Sequence, residues 1–273
     1  METTQRISAG GIPLHFAGSW DRRHHSPRKR ARYRCRVWTT QAEKLFIKPF
    51  MHRNTLDIMK RTVIIGDVHG CMAELEKLII KIGVTDHDDV ILVGDFVRKG
   101  PDSAAVLQWA MGTPNVRCIL GNHEVKLLNA WFDGEEPERD TPDGVMWRQL
   151  DGLYNGAMDF IRTRPLYIEG DGFQAVHAGI DPRIHSFNRQ SPHDLLTIRI
   201  PVGMDIPWYD AYTGETLVVF GHWAQKFPVI RPNAIGLDTG CVYGGSLTAL
   251  ILPEGLLVSV PASREYQKHE GWK

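Results

Sequence analysis

No run of about 18 apolar residues occurs in the chain, so no membrane-spanning helix is expected. Cysteine is scarce. Cys35, Cys71, Cys118 and Cys241 are the 4 in 273 residues, widely scattered and without a C-x-x-C pair. That spacing argues against a disulfide framework and against a thiolate zinc module. An excess of either charge is also missing: 32 Lys and Arg stand against 32 Asp and Glu. A broad nucleic-acid or anionic-membrane surface is therefore not expected, although a local basic pocket is compatible with the balance.

What is present is ordinary globular material, with 42% apolar and 23% charged residues, enough for one large core or two modest domains. The zero net charge hides an asymmetry. Residues 21–36 read DRRHHSPRKRARYRCR, with 8 Arg or Lys against one acid. Such a block repels itself and has little to bury. It fits a nucleic-acid or targeting segment, a solvated tail, or a stretch upstream of the true translation start. Met59-Lys60-Arg61 stands directly before the first expected strand, which favours the last reading. Residues 1–58 are set aside as an extension, 59–265 are read as one catalytic domain and 266–273 as a tail.

The domain opens with three β-loop-α units. TVIIG (62–66), DVILVG (89–94) and VRCIL (116–120) are short β-branched runs, expected as strands. Residues 71–82 carry Met72, Leu75, Leu78, Ile79 and Ile82 at helical spacing. Pro101 is expected in the first turn of a helix reaching Met111, and 124–131 is expected as the third helix. Short connections between such units imply parallel strands with their loops gathered at one sheet edge. Residues 132–144 are expected as a loop and 146–161 as one long amphipathic helix. FQAVHAG (173–179), TLVVFGH (216–222) and SLTALILP (246–253) are expected strands, with a long site or lid segment at 181–215.

Residues capable of chemistry cluster at strand ends beside glycine. GDVHG supplies Asp67 and His69, GDFVRKG supplies Asp95, and GNHE supplies Asn122 and His123. His177 and His222 end two later strands. Carboxylate, imidazole and amide oxygen together suit Mn, Fe or Zn rather than an all-oxygen calcium cage. The donors exceed the needs of one ion. A carboxylate shared by two metals about 3.5–4 Å apart would use them all, and Asp95 is the natural bridge. Any one motif alone is weak, and a lone histidine in an apolar run is more often a core residue. The repetition beside glycine is what core packing does not readily produce.

In order, GDVHG, GDFVRKGPDS, GNHE, HAG, GHWA and LDTGCVYGG resemble the calcineurin-like metallophosphoesterases, and within them the phosphoprotein-phosphatase superfamily, over about residues 61–265. The resemblance implies an α/β fold, a two-sheet β-sandwich flanked by helices. It implies a first metal on Asp67, His69 and Asp95, and a second on Asp95, Asn122, His177 and His222. His123 would be the unliganded histidine beside the scissile phosphate. Manganese is the expected ion, with iron and zinc as alternatives. A metal-bridging hydroxide would attack phosphorus in line, with Lys99 steadying the equatorial oxygens.

The subfamily is read from departures. Protein serine/threonine phosphatases carry Asp-Arg where this chain has Arg98-Lys99, and Arg where it has Leu120. Lys99 keeps a cation but not the bidentate fork of arginine. GHWA and LDTGCVYGGSLTAL are similar to symmetrical diadenosine tetraphosphatases and their ApaH-like relatives, and GDFVRKGPDS favours the ApaH-like branch. Symmetrical cleavage of diadenosine tetraphosphate is therefore expected, from a cytoplasmic enzyme with a small nucleotide polyphosphate substrate and no membrane partner. A protein phosphatase or broad phosphomonoesterase is the first alternative, and an RNA 5′-end pyrophosphohydrolase the second. Arg98 is a candidate for distal phosphates or for solvent, and Arg199 a candidate second phosphate clamp or a surface residue. His185 and His193 read as rim, Glu124 as a helix cap, Asp238 as a loop holder and Cys241 as buried and inert.

Overall fold

The computed structural model describes residues 60–134 and 137–269, together with the two-residue strand Leu45–Phe46. The basic block at 21–36 lies outside the described residues. Leu45–Phe46 (β1) pairs antiparallel with Leu256–Leu257, so part of the stretch set aside takes part in a sheet. No helix among the described residues is long and apolar enough to cross a membrane.

The expected β-loop-α units are present. Thr62–Ile65 (β2), Asp89–Leu92 (β3) and Val116–Cys118 (β4) pair in parallel, joined through Met72–Ile82 (α1) and Ser103–Gly112 (α2). Ser246–Leu252 (β10) runs antiparallel to β2 on its other side, and Leu256–Pro261 (β11) follows β10. The resulting sheet has the order β1-β11-β10-β2-β3-β4. A second sheet is built from Tyr167–Gly170 (β5), Phe173–Val176 (β6), Leu217–Phe220 (β7), Val229–Arg231 (β8) and Ala234–Gly236 (β9), in the order β5-β6-β7-β9-β8.

Alternation along the strands explains how the sheets stack. Ile64, Ile91 and Ile119 from the first sheet side meet Phe173, Ala175, Val219 and Ile235 from the second in one buried cluster. The residues one position along, Val176, Val218 and Phe220, face the opposite side. There they pack on Phe187, Leu195 and Trp208 of the long segment 181–215, which contains Pro192–Thr197 (α6) and Trp208–Ala211 (α7). That segment is thus an outer layer of the second sheet as well as a border of the site.

Three expectations are corrected. Pro101 lies outside α2, because the Asp102 side chain accepts from Ala105 N at 2.9 Å and so caps the helix one residue later. The third helix, Asn122–Asp133 (α3), begins two residues early, which puts Asn122 and His123 in its first turn. The long helix at 146–161 is two helices, Pro142–Gln149 (α4) and Tyr154–Arg162 (α5). In the turn between them Gly152 takes φ 79°, a left-handed value that interrupts the helical path from one to the next. The apolar face nevertheless holds across the break: Met146, Leu150, Ala157, Met158 and Ile161 are buried.

Candidate active site

The loops after β2, β3 and β4 meet those after β6, β7 and β9 at one end of the sandwich. Backbone geometry marks the place. Among the described residues, the non-glycine residues with positive φ are His69 (47°), Asp95 (48°), Arg98 (73°), Lys99 (67°) and His222 (67°). All had been singled out from the motifs. Left-handed backbone is uncommon for side-chain-bearing residues and is retained where surrounding contacts fix it. The glycines beside them permit the approach. A Cβ on Gly94 would lie 2.7 Å from His177 Nδ1, and one on Gly221 only 1.9 Å from Asp67 Oδ1.

Fixed hydrogen bonds set which ring nitrogens face inward. His177 is fully buried, and its Nδ1 donates to the Val93 carbonyl at 2.9 Å. His69 Nδ1 donates in the same way to the Val97 carbonyl at 3.2 Å. Each therefore turns a bare Nε2 toward the centre. His177 Nε2 faces Asn122 Oδ1 at 2.9 Å and Asp95 Oδ1 at 3.4 Å. Asn122 Oδ1 also stands 3.0 Å from His222 Nδ1. The bare His177 Nε2 and the Asn122 oxygen turn lone pairs on each other and repel unless a cation lies between them, while His222 Nδ1 can meet the same oxygen as a donor or join it as a ligand. Ligand atoms of Asp95, His177 and His222 fall within 4.8 Å of one another, as do those of His69, Asp95 and His123. Asp95 belongs to both groups, as a bridge must. Asp67 belongs to neither: both its oxygens accept from His222 N at 3.1 Å, tying the first corner to the fifth.

The charges support a cation there. Burial pushes the Asp67 carboxyl up, and the nearby Asp238 and Asp95 carboxylates push it further. Burial and Lys99 lower His69 to about 3, and burial with His177 lowers His222 to about 3. Burial would raise Asp95, but His177, His123, His69 and Lys99 outweigh it and hold that carboxyl low. Neutral imidazoles are the form a metal requires of its histidine ligands, and a cation among the crowded carboxylates would relieve the repulsion that pushes Asp67 up. The Lys99 ammonium already lies against this face, 3.0 Å from His69 Nε2 and donating to Tyr243 Oη at 2.8 Å. The residues present therefore fit divalent ions.

Glu124 does more than cap a helix. Its Oε2 accepts from Gly121 N at 2.8 Å and from Asp95 N at 2.7 Å, and its Oε1 from Val97 N at 3.1 Å. The second corner thus hangs on the first turn of α3. The carboxyl is fully buried, and burial together with the Asp95 charge pushes it up to about 8.

Arg98 lies neither on a free phosphate face nor in open solvent. It forms a bidentate pair with Asp143 of α4 (Nε to Oδ1, and Nη2 to Oδ2 at 2.8 Å), and Lys126 joins Asp143 at 2.9 Å. Its Nη1 donates to His123 Nδ1 at 2.8 Å. Arginine has no acceptor, so the His123 proton is on Nε2, which sits 3.7 Å from Asp95 Oδ2. Asp143 was missed from sequence, since one acid in the polar stretch before α4 looks like any other.

The outlying residues divide. Arg199 is exposed, with its guanidinium 5.5 Å from the centre of the Trp223 ring, and its charge is felt at Asp238 and His222. It borders the site. Asp238 Oδ1 accepts from Gly240 N at 3.0 Å, the loop role expected of it. His185 and His193 are exposed. Cys241 is buried, and its contact with Cys71, together with burial, pushes its thiol up. Tyr243, the Lys99 partner, was missed because an aromatic in a glycine-rich turn carries no spacing signal.

Residues 60–245 match the sequence pattern of the calcineurin-like phosphoesterases. A Janthinobacterium protein (strain Marseille) named as a symmetrical bis(5′-nucleosyl)-tetraphosphatase is 31% identical over 267 residues, covering 73% of this chain and 95% of the relative. A solved structure described as a candidate diadenosine tetraphosphatase superposes with a TM-score of 0.66 at 30% identity, covering 76% of this chain and 95% of that one. A serine/threonine phosphatase from Saccharomyces cerevisiae shares the fold, with a TM-score of 0.53 at 15% identity over 78% of this chain and 82% of that one.

Proposed function

Since this chain belongs to the calcineurin-like phosphoesterase family, whose members use divalent metals, we propose that it hydrolyses dinucleoside polyphosphates and splits diadenosine tetraphosphate symmetrically into two ADP. The observation that carries this reading is the full span of the similarity. The Janthinobacterium tetraphosphatase is matched over 95% of its length, and the residues that match the family pattern, 60–245, include every loop that contributes to the site. The catalytic domain is taken to include the strand Leu45–Phe46 before residue 59 and to run past 265 through Tyr266, whose hydroxyl holds Glu74. Manganese is the proposed ion, and a cytoplasmic nucleotide pool the proposed setting.

Asp67, His69 and Asp95 would hold one ion, and Asp95, Asn122, His177 and His222 the other. Such a pair, when bound, supplies Lewis acidity and an activated water nucleophile. The chain's own residues orient and neutralise. Lys99 offers its ammonium to the equatorial oxygens of the phosphoryl group under attack. His123, with its proton held on Nε2 by Arg98, donates a hydrogen bond to the departing phosphate oxygen. Arg199, at the border over Trp223, is available to a distal phosphate.

The arginine behind His123 disfavours the protein-phosphatase alternative. A seryl alkoxide needs a full proton as it leaves, and a cation against Nδ1 makes an imidazolium harder to form. A nucleoside diphosphate leaving group is already stable as an anion and needs only a donor.

The test is incubation of the full chain with Mn²⁺ and diadenosine tetraphosphate, followed by ion-exchange separation. ADP as the sole nucleotide product is expected. AMP with ATP would refute symmetrical cleavage. Faster turnover of a phosphoserine peptide or of a 5′-triphosphorylated RNA would move the assignment to that substrate.

A further inference from the structure

We propose that Cys71, Glu74 and Cys241 form a second metal site, of thiolate character and suited to zinc, behind the catalytic corner. Their ligand atoms lie within 4.8 Å of one another, and all three residues are buried, at 0%, 0% and 1% exposure. Cys71 immediately precedes α1 and Glu74 is the third residue of that helix, so thiol and carboxylate share one face. Cys241 arrives from the turn between β9 and β10. The chain spacing gives no hint of the site, because the fold brings its third member in from 167 positions away (241 − 74).

The Glu74 carboxylate carries the argument. Its Oε1 is saturated, accepting from Ser263 N at 2.8 Å and Tyr266 Oη at 2.9 Å. Its Oε2 is the one buried side-chain polar atom among the described residues without a partner. A buried carboxylate oxygen in that position bears its full desolvation penalty. Beside it stand two thiols in contact with each other, and Cys71 Sγ also makes a long contact to the His69 carbonyl at 3.9 Å.

Ligands on a tetrahedral zinc, with Zn–S about 2.3 Å and Zn–O about 2.0–2.2 Å, stand about 3.5–3.8 Å apart. The ligand atoms of the cluster, all within 4.8 Å of one another, can close to that separation by small side-chain adjustments. Thiolate softness selects zinc here, while the oxygen and imidazole donors of the catalytic centre accept harder ions. On binding, each thiol releases a proton to the buffer, and the ion takes two thiolate sulfurs and one carboxylate oxygen. No redox change is involved. The site would fasten the start of α1, two residues after His69, to the turn that carries Asp238 and Tyr243.

The experiment uses Co²⁺ as a spectroscopic probe on the full chain. Thiolate coordination gives a near-ultraviolet sulfur-to-cobalt charge-transfer band, which the catalytic centre's oxygen and nitrogen donors do not give. The expected result is this band, with one metal equivalent more than the catalytic centre alone holds. Cys241→Ser should lose the band and that equivalent, while Cys35→Ser and Cys118→Ser keep both. Glu74→Gln should weaken the affinity at least tenfold. No band in the unmodified chain would overturn the proposal whether or not the variants fold. A band that persists in Cys241→Ser, or a Cys71–Cys241 disulfide found by mass spectrometry, would also overturn it. Hydrolysis is not read, so an error in the proposed substrate leaves this test intact.

Discussion

Replacing Glu124 with glutamine exchanges one oxygen for an NH₂ group and changes almost nothing in volume. In its ionised form, which prevails above about pH 8, the carboxylate accepts three backbone N–H groups, two on Oε2 and one on Oε1, so the comparison is made at pH 9. An amide accepts only through its oxygen. In the better orientation it keeps the bonds to Asp95 N and Gly121 N, now without charge assistance, and points its own N–H at Val97 N–H. One buried donor is orphaned and two bonds weaken. Hydrogen bonds to charged groups are worth about 1.5–3 kcal/mol and an unsatisfied buried donor about 1–3 kcal/mol, so the expected cost is about 2–4 kcal/mol. For a domain of this size each kcal/mol moves Tm by about 2–4 °C, giving a fall of about 4–16 °C. The functional cost is separate. The Asp95 N–H bond is part of what holds Asp95 at its left-handed φ of 48°, and the proposed metal bridge depends on that geometry. Calorimetric Mn²⁺ titration of the variant, at a temperature where it is folded, should therefore show at least tenfold weaker binding. A Tm within 2 °C of the unmodified protein with unchanged Mn²⁺ affinity would refute the claim that this carboxylate holds the corner.

Three further expectations test other parts of the structure. Asp143→Asn removes the anion that steadies Arg98 and should lower kcat severalfold with little change in KM, and Asp143→Glu should recover part of it; an unchanged kcat would show that the Arg98–His123 contact is idle. Gly221→Ala places a Cβ 1.9 Å from Asp67 Oδ1, so the folded variant should lose catalytic metal by elemental analysis; full occupancy would mean that Asp67 is not needed as a ligand. Asp88 is held at about 2, below its usual 3.8, by the Arg61 hydrogen bond, which outweighs burial, and by Thr85. A depressed carboxyl stabilises the fold above its unfolded pKa and loses that contribution as pH falls through the folded one. Asp88→Asn should thus cost about 1–2 kcal/mol at pH 7, after allowance for the partly exposed Arg61, and should flatten the stability loss between about pH 4 and 2; parallel acid-unfolding curves would refute it.

The first sheet was largely legible because its signals are local. TVIIG and DVILVG are continuous β-branched runs, as strands buried on both faces must be, and α1 carries its apolar residues at helical spacing. The second sheet was half legible. β6 and β7 read clearly, but VIR of β8 and AIG of β9 are three residues each, too short for a period to register. The break between α4 and α5 was missed because the apolar pattern runs straight through it, and only Gly152 marks it. In the site, the motifs brought forward every residue that now stands at positive φ, since glycine-flanked polar residues after strands signal such corners. What they did not convey is pairing across the chain. Asp143 to Arg98, Tyr243 to Lys99 and Glu124 to two residues of the Asp95 loop are contacts that only packing creates.

The pairing of Arg98 changes how the motif differences are read. From sequence, the exchange of an acid for Arg98 is the loss of a partner for His123. In the structure it is the replacement of one partner by another of opposite charge, itself paired with the Asp143 carboxylate, which Lys126 shares. A carboxylate behind a histidine raises its basicity and favours an imidazolium that can protonate an alkoxide. A guanidinium lowers it, and His123 is held well below the ordinary histidine range by burial first and by nearby cations, Arg98 among them. The ring keeps its orientation and its Nε2 proton in both cases. What is given up is the protonated ring that can hand over a full proton, and a pyrophosphate leaving group does not require it. The substitution is therefore better understood as a match to the leaving group than as damage to a phosphatase, and the same geometry explains why the Arg98 anchor lies on α4, an element outside the strand-end motifs.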